Sequence, residues 1–235
     1  VIFIVPEGKY PDEPYSARGK AGFYNFEKPT VVELSNRDLM MFGRSIIGRT
    51  FKSISVTQPM PWPSVYHGRG LDVTGVGAGV IWRQPVPTPL ACARAPSELK
   101  YIPALKAILC IWNQVSANEI LEGISRHRLS TALSFDDGET WQHFKNLESL
   151  DDVNYVEPPP IPLLHGIYGY HYNQPEDRVR YHRAPGSVRS CYPACRVLED
   201  TVIIQYNYGG SNPEDPNQPL GNKQRVLPIS WFTED

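Results

Sequence analysis

Three hairpins of one design, one S-x-D-x-G-x-T-W turn and a loop-rich composition predict an all-β fold built of propeller blades. The hairpins are Pro29 to Leu34 with Asp38 to Phe42, Ser97 to Ile102 with Ala107 to Trp112, and Pro193 to Leu198 with Thr201 to Tyr206. Each is a pair of short apolar runs joined by a few polar or turn residues, which is how an antiparallel hairpin reads in sequence. Repetition of one antiparallel unit, with about four strands to a blade, is how propellers are made. The 23 Pro and 18 Gly among 235 residues suit the many turns such a fold needs. Three blades are expected near residues 27–66, 96–147 and 190–232, within one domain over residues 1–235. Six full blades would each need about 40–45 residues, so either some blades are abbreviated or others precede this chain.

The turn is Ser134-Phe135-Asp136-Asp137-Gly138-Glu139-Thr140-Trp141. An Asp carboxylate can hydrogen-bond backbone N–H groups two residues on. Gly138 offers a positive φ at no steric cost. Leu129 to Ser134 then reads as the incoming strand, with Phe144 and Leu147 on the outgoing one. The indole of Trp141 is suited to packing between neighbouring sheets. These roles are structural. Asp136 and Asp137 are not followed by the further ligands that a calcium loop requires.

A weaker copy lies upstream. Arg49 stands six residues before Ser55, as Arg128 stands six before Ser134. Ser55 and Trp62 keep the ends of the turn pattern, while Thr57 and Pro59 replace its Asp and Gly. Two segments do not fit the repeat. Residues 63–95 are rich in Gly and Pro and read as an insertion, with no phosphate-loop G-K-[ST]. Residues 151–190 read as a long loop of the kind that shapes a ligand site. Ser116, with Glu119 three residues on, makes a capping box at the start of a short helix to Gly123.

The net charge of −2 gives no support to nucleic-acid or anionic-membrane binding. No apolar run approaches the roughly 18 residues of a spanning helix. Val1 to Val5 is too short for a signal peptide and lacks a charged lead-in. Cys191 and Cys195 would stand about 13 Å apart on one strand, too far for a disulfide. Together with Cys92 and Cys110 they are expected to be small core residues. His127, His165, His171 and His182 have no metal-binding spacing and are expected in loops.

The S-x-D-x-G-x-T-W turn, the repeats and the spacing of three further motifs resemble the sialidase (neuraminidase) superfamily, whose Asp-box turn has this pattern. The resemblance covers most of residues 27–66, 96–147 and 189–232. It implies a six-bladed propeller and an exo-acting glycosidase that releases terminal sialic acid. It also implies a Tyr nucleophile assisted by a Glu, an Asp acid/base and three Arg that clamp the sugar carboxylate. The family stretch E-P-x-V-V-E-L…M-x-x-R is matched by Glu27-Lys-Pro-Thr-Val-Val-Glu-Leu34 and Met41-Phe-Gly-Arg44, which places Arg44 on the clamp. The stretch N-P…R-x-N-L-T-x-x-L-S-x-D is matched from Asn113-Gln114 through Arg126 to Ser134, which places Arg126 there too. Ser190-Cys-Tyr-Pro-Ala194 resembles the stretch that carries the nucleophile, implying that role for Tyr192. Glu27 is set off from Pro29 by Lys28, and one residue of slip on a strand changes the face. Glu27 can therefore assist Tyr192 only if the chain bulges there. The family's first Arg has no counterpart: Tyr101-Ile-Pro103 lacks it, and Arg18 is a distant alternative. The Asp acid/base is not placed.

The residue types suit the chemistry. A guanidinium meets a carboxylate bidentately and stays charged at working pH. Sialic acid carries a carboxylate on its anomeric carbon, so a neutral Tyr avoids the repulsion that a carboxylate nucleophile would meet. The implied partner is a glycan with a terminal acidic sugar, and the chemistry requires neither metal nor organic cofactor. Two alternatives remain. One is a carbohydrate-binding propeller without catalysis, and the other is an enzyme acting on a uronate.

Overall fold

The computed structural model describes residues 27–44, 49–56, 81–83, 85–92, 95–116, 118–119, 126–158, 188–210 and 221–234. They form three antiparallel sheets, the blades of a β-propeller. The first holds β1 (Glu27–Glu33), β2 (Leu39–Arg44), β3 (Arg49–Val56), β4 (Ile81–Trp82) and β5 (Val86–Ala91), ordered β1-β2-β3-β4 with β5 also on β3. The second runs β6-β7-β8-β9: Glu98–Ile102, Ala107–Asn113, Leu129–Ser134 and Gln142–Glu148. The third holds β10 (Val188–Val197), β11 (Thr201–Gly210) and β12 (Gly221–Pro228), followed by a 3-10 turn at Ile229–Phe232. The three hairpins read from sequence are β1–β2, β6–β7 and β10–β11.

The expectation that residues 63–95 stand outside the repeat is corrected. β4 and β5 join the first sheet through Ser55↔Trp82 and Phe51↔Pro87. Pro87 and Pro89 disguise β5 in the sequence. Proline is tolerated on an edge strand, where its missing N–H costs no ladder bond, and β5 pairs with β3 alone. Trp62, the Gly-rich part of the expected insertion, and residues 159–187 of the long loop lie outside the described residues.

β7 organises the packing. It is buried along its whole length, and its alternating side chains feed two cores. Ile108, Cys110 and Trp112 pack with Met40, Phe42, Leu90 and Trp141 between the first and second sheets. Leu109 and Ile111 pack with Leu133, Val202, Ile204 and Tyr206 between the second and third. β6 touches both β1 and β10, so the first strands of the three sheets lie side by side as the inner strands of adjacent blades. Among the described residues, no helix is long and apolar enough to cross a membrane. Cys92, Cys110 and Cys191 are buried, Cys195 is half-buried, and all four are free thiols.

The S-x-D-x-G-x-T-W turn closes β8–β9 and also clips two blades together. Asp136 Oδ1 accepts from Thr140 N–H at 2.8 Å and from Ser134 Oγ at 2.8 Å, and the Ser134 hydroxyl accepts from Gly138 N–H at 2.7 Å. Desolvation pushes the Asp136 carboxyl up, but the bonds from Thr140, Ser134 and Glu139 N–H outweigh it and hold it below its ordinary value. Asp137 reaches the first sheet's β1–β2 turn, accepting from Ser35 N–H at 3.1 Å. Phe42 and Trp141 stack with centroids 5.7 Å apart. In the weaker copy the Ser55 hydroxyl keeps a partner, accepting from Leu39 N–H at 2.7 Å.

Gly138 has φ +83, and a Cβ there would stand 2.6 Å from Sδ of Met40, which is fully buried. Gly138→Ala combines left-handed strain with a contact that the end of the Met40 side chain must shift to relieve. It is expected to cost about 2–4 kcal/mol, read as a shift of the urea midpoint at unchanged m-value. A loss below about 0.5 kcal/mol would mean that this inter-blade contact is not tight.

Candidate functional site

The four residues singled out from sequence sit at one end of the three sheets. Glu27 opens β1 and is the cross-strand Cα partner of Arg44, which ends β2. Arg126 lies three residues before β8, and Tyr192 is the fifth of the ten residues of β10. Arg44, Arg126 and Tyr192 thus come from three different blades and converge.

Two bulges aim this site. The β1–β2 register shifts between Glu27 and Thr30, where Lys28 has φ 52. The extra residue at Lys28 is taken up as a bulge at that step. The β10–β11 register shifts between Cys191 and Ala194, where Tyr192 has φ 55. Arg126 has φ 64. A bulge turns one side chain out of the strand's alternation, and positive φ at bulky residues is held only where surroundings enforce it. Ser190 and Cys191 are both buried, against the alternation, while Tyr192 is 43% exposed.

The Arg126 guanidinium carbon lies 5.3 Å from the Tyr192 ring centroid, within cation–π reach. Its Nη1 also lies 3.7 Å from the Cys191 sulfur. Desolvation alone would raise the Tyr192 phenol. The charge of Arg126, with the hydrogen bond and charge of Arg44 and the hydrogen bond of Arg126, outweighs it and draws the phenol below the ordinary tyrosine value. Cys92, buried at the end of β5, feels both guanidinium charges, although burial dominates and pushes its thiol up. The arrangement offers an oriented, acidified phenol and two cations at an exposed face. Arg18, the distant alternative for the first clamp, lies outside the described residues.

Beside the site runs a charge network that sequence reasoning missed. Arg128 is buried and donates from Nη1 to both Glu119 oxygens, at 3.1 and 3.3 Å, and from Nη2 to Asp151. His127 Nε2 lies 2.9 Å from Glu119 Oε1. An ionised carboxylate only accepts, so that nitrogen carries hydrogen. His127 thus sits in a bend but is buried, held by Glu119. The capping box is present: Glu119 N–H donates to Ser116 Oγ at 3.2 Å, and Ser116 N–H to Glu119 Oε2 at 2.5 Å. Glu119, His127 and Asp151 bring ligand atoms within 4.8 Å of one another, and the guanidinium of Arg128 already supplies positive charge to both carboxylates. The one legible signal for this network was the capping box.

No family model matches the chain, and no curated protein matches it. Among solved structures, the chain is similar to an α-L-arabinofuranosidase from Fusarium graminearum in complex with an iminosugar inhibitor, at TM-score 0.43 and 10% identity, over 86% of this chain and 46% of that one. It is similar to an α-L-arabinanase from Penicillium chrysogenum complexed with arabinobiose, at TM-score 0.44 and 12% identity, over 86% and 46%. It is also similar to an N-acetylgalactosamine deacetylase from F. plautii in complex with blood group B trisaccharide, at TM-score 0.37 and 14% identity, over 89% and 51%. The chain spans about half the length of these structures.

Burial alone would raise the Glu119 carboxyl. The bonds from His127 and Ser116 and the charge of Arg128 prevail and hold it at about 2, against an ordinary 4.5. A depressed folded pKa stabilises the protein above the unfolded value, and the gain is lost as pH falls through the folded one. Glu119 is therefore expected to contribute about 3 kcal/mol above pH ~4.5 that disappears toward pH ~2. Glu119→Gln should flatten the pH dependence of urea unfolding across that window. Parallel curves for wild type and variant would show that the network is not formed.

Proposed function

We propose that this chain is a glycoside hydrolase of sialidase type that releases a terminal acidic sugar, with sialic acid the substrate that best suits the site. The observation that carries this reading is the convergence of Arg44, Arg126 and the Tyr192 phenol from three blades at one exposed point. Two guanidinium groups are a receptor for a carboxylate. A phenol with a lowered pKa is a nucleophile suited to an anomeric centre that carries negative charge.

In this reading Arg44 and Arg126 bind the sugar carboxylate and present the anomeric carbon to Tyr192. The Tyr192 oxygen bonds to that carbon while the glycosidic C–O bond breaks, and Glu27 takes the phenolic proton. Water then attacks the same carbon as the Tyr192–sugar bond breaks; Glu27 returns its proton to the phenoxide and takes one from the water, which it passes to solvent. The leaving oxygen needs a proton from an acid that these four residues do not supply. An aryl glycoside, whose leaving group departs as a stabilised anion, bypasses that need.

The same pair of Arg would hold a uronate, so an enzyme acting on another acidic sugar is the alternative within this chemistry. An Arg-backed, half-exposed Tyr ring also suits a propeller that binds glycans without cleaving them. A glycan-binding screen with sialylated and uronate-terminated oligosaccharides separates these readings.

The test is hydrolysis of a fluorogenic sialic acid aryl glycoside between about pH 5 and 7, wild type beside two variants. Tyr192→Phe is expected to lower kcat about 10³-fold or more. Arg126→Lys keeps the charge but loses the fork, and is expected to raise KM about tenfold or more. Equal rates for wild type and Tyr192→Phe would defeat the mechanism. An inactive wild type would defeat the sialidase reading.

A further inference from the structure

We infer that Asn113 is the positioning residue of this site: one buried carboxamide locks the strand that carries Tyr192 to the loop that carries Arg126. Asn113 is the last residue of β7 and is fully buried. Its Nδ2 donates to the Arg128 carbonyl at 2.9 Å and to the Ser190 carbonyl at 2.8 Å. Two carbonyls can be met only by the NH₂ side of the amide, which fixes the side chain's orientation. Ser190 is held from its other side too, since its N–H donates to the Arg126 carbonyl at 2.7 Å. Three hydrogen bonds therefore close a ring through Asn113, Ser190 and Arg126 to Arg128.

The geometry explains why the ring matters. Arg126 and Tyr192 belong to different sheets and both hold positive φ, a state the backbone leaves unless it is pinned. Arg126 starts the pinned loop, and Tyr192 lies two residues beyond the pinned Ser190. Ordinary sheet pairing does not join β8 to β10. Among the described residues the Asn113 Oδ1 has no partner, so the amide bears an unsatisfied acceptor in the core in order to place two donors. An apolar residue would fill that space without this cost.

A second, longer side-chain bond joins the same segments, from the Ser190 hydroxyl to the Arg126 carbonyl at 3.4 Å. His127, Arg128 and Glu119 stabilise the loop from its far side, and none of them bonds to β10. A side chain shorter than Asn cannot span to both carbonyls, and Asp would aim a second acceptor at them. Removing the donors leaves the Ser190 bonds to the Arg126 carbonyl to hold the loop alone, so that Arg126 moves off the Tyr192 ring and the phenol loses one of the two cations that acidify it.

The test is an ultraviolet difference titration that isolates Tyr192 from the other tyrosines by subtracting the Tyr192→Phe curve. It uses the whole chain and requires no turnover. Asn113→Ala is expected to move the Tyr192 transition upward, toward the ordinary tyrosine value, while the circular dichroism stays native. If Asn113→Ala does not fold, Asn113→Ser, which keeps one donor, is expected to give a smaller upward move. Ser130→Ala is the control: it removes a buried bond to Asn146 at 2.7 Å in the same sheet and should leave the Tyr192 transition in place. An unmoved Tyr192 transition in a folded Asn113 variant would overturn the inference, as would an equal shift in Ser130→Ala. The kinetic arm rests on the hydrolase reading: kcat/KM for the aryl glycoside should fall about 10²-fold, as a displacement near 1 Å at a reacting centre allows. An inactive wild type would sink the hydrolase reading alone, because the titration still decides the role of Asn113.

Discussion

Burial of β7 on both faces is the constraint on which the rest of this structure depends. A strand covered on one side alternates apolar and polar residues, whereas Ala107-Ile-Leu-Cys-Ile-Trp112 is an unbroken apolar run. Each large side chain gains about 1.5–3 kcal/mol on burial, and β7 sends them in both directions. The middle sheet is thereby packed against a neighbour on either face. At the end of this strand the run changes to Asn113 and Gln114, which turn from packing to hydrogen bonding. Gln114 anchors the segment after β9 through Asn154 and Val156, and Asn113 reaches β10. The apolar spine and the polar clasp are successive residues of one strand.

From that spine the site follows by geometry. Antiparallel blades that pack face to face bring the starts of their first strands and the ends of their second strands to one side. Arg44 occupies such an end and Glu27 such a start, while Tyr192 stands at the bulge within β10. Regular alternation would point them wherever the pleat dictates. The bulges at Lys28 and Tyr192 break that alternation beside the candidate site, and the positive φ values mark the conformational cost. The second and third blades are also joined by charge: Glu148 pairs with Lys223 at 2.6 Å and with Arg225 at 3.1 Å, and Lys145 donates to the Trp231 carbonyl at 2.6 Å.

Much of this was legible in the chain itself. The three hairpins, the Asp136 turn and the capping box are local, and each rests on residues within a few positions of one another. Arg44, Arg126 and Tyr192 could be singled out because motif spacing carries them, and the extra Lys28 already required a bulge beside Glu27. What stayed hidden depends on distant partners or on misleading local chemistry. Pro87 and Pro89 argue against a strand, yet β5 is an edge where they do no harm. Arg128 reads as an ordinary residue before a strand, and nothing local tells that Glu119 and Asp151 will close on it. His127 reads as a loop residue because burial by a single carboxylate leaves no periodic trace. Asn113 stood in a recognisable motif, but its two carbonyl partners are 15 and 77 residues away.

The central claim is that Tyr192 attacks an acidic sugar held by Arg44 and Arg126. The most direct measurement is peptide mapping by mass spectrometry after incubation with a fluorinated sialosyl fluoride, a reagent that slows release of the covalent sugar. The account predicts one added sugar, on the peptide bearing Tyr192, and none on Tyr192→Phe. An adduct on a carboxylate such as Glu27, or no adduct under conditions where an aryl glycoside is cleaved, would contradict it.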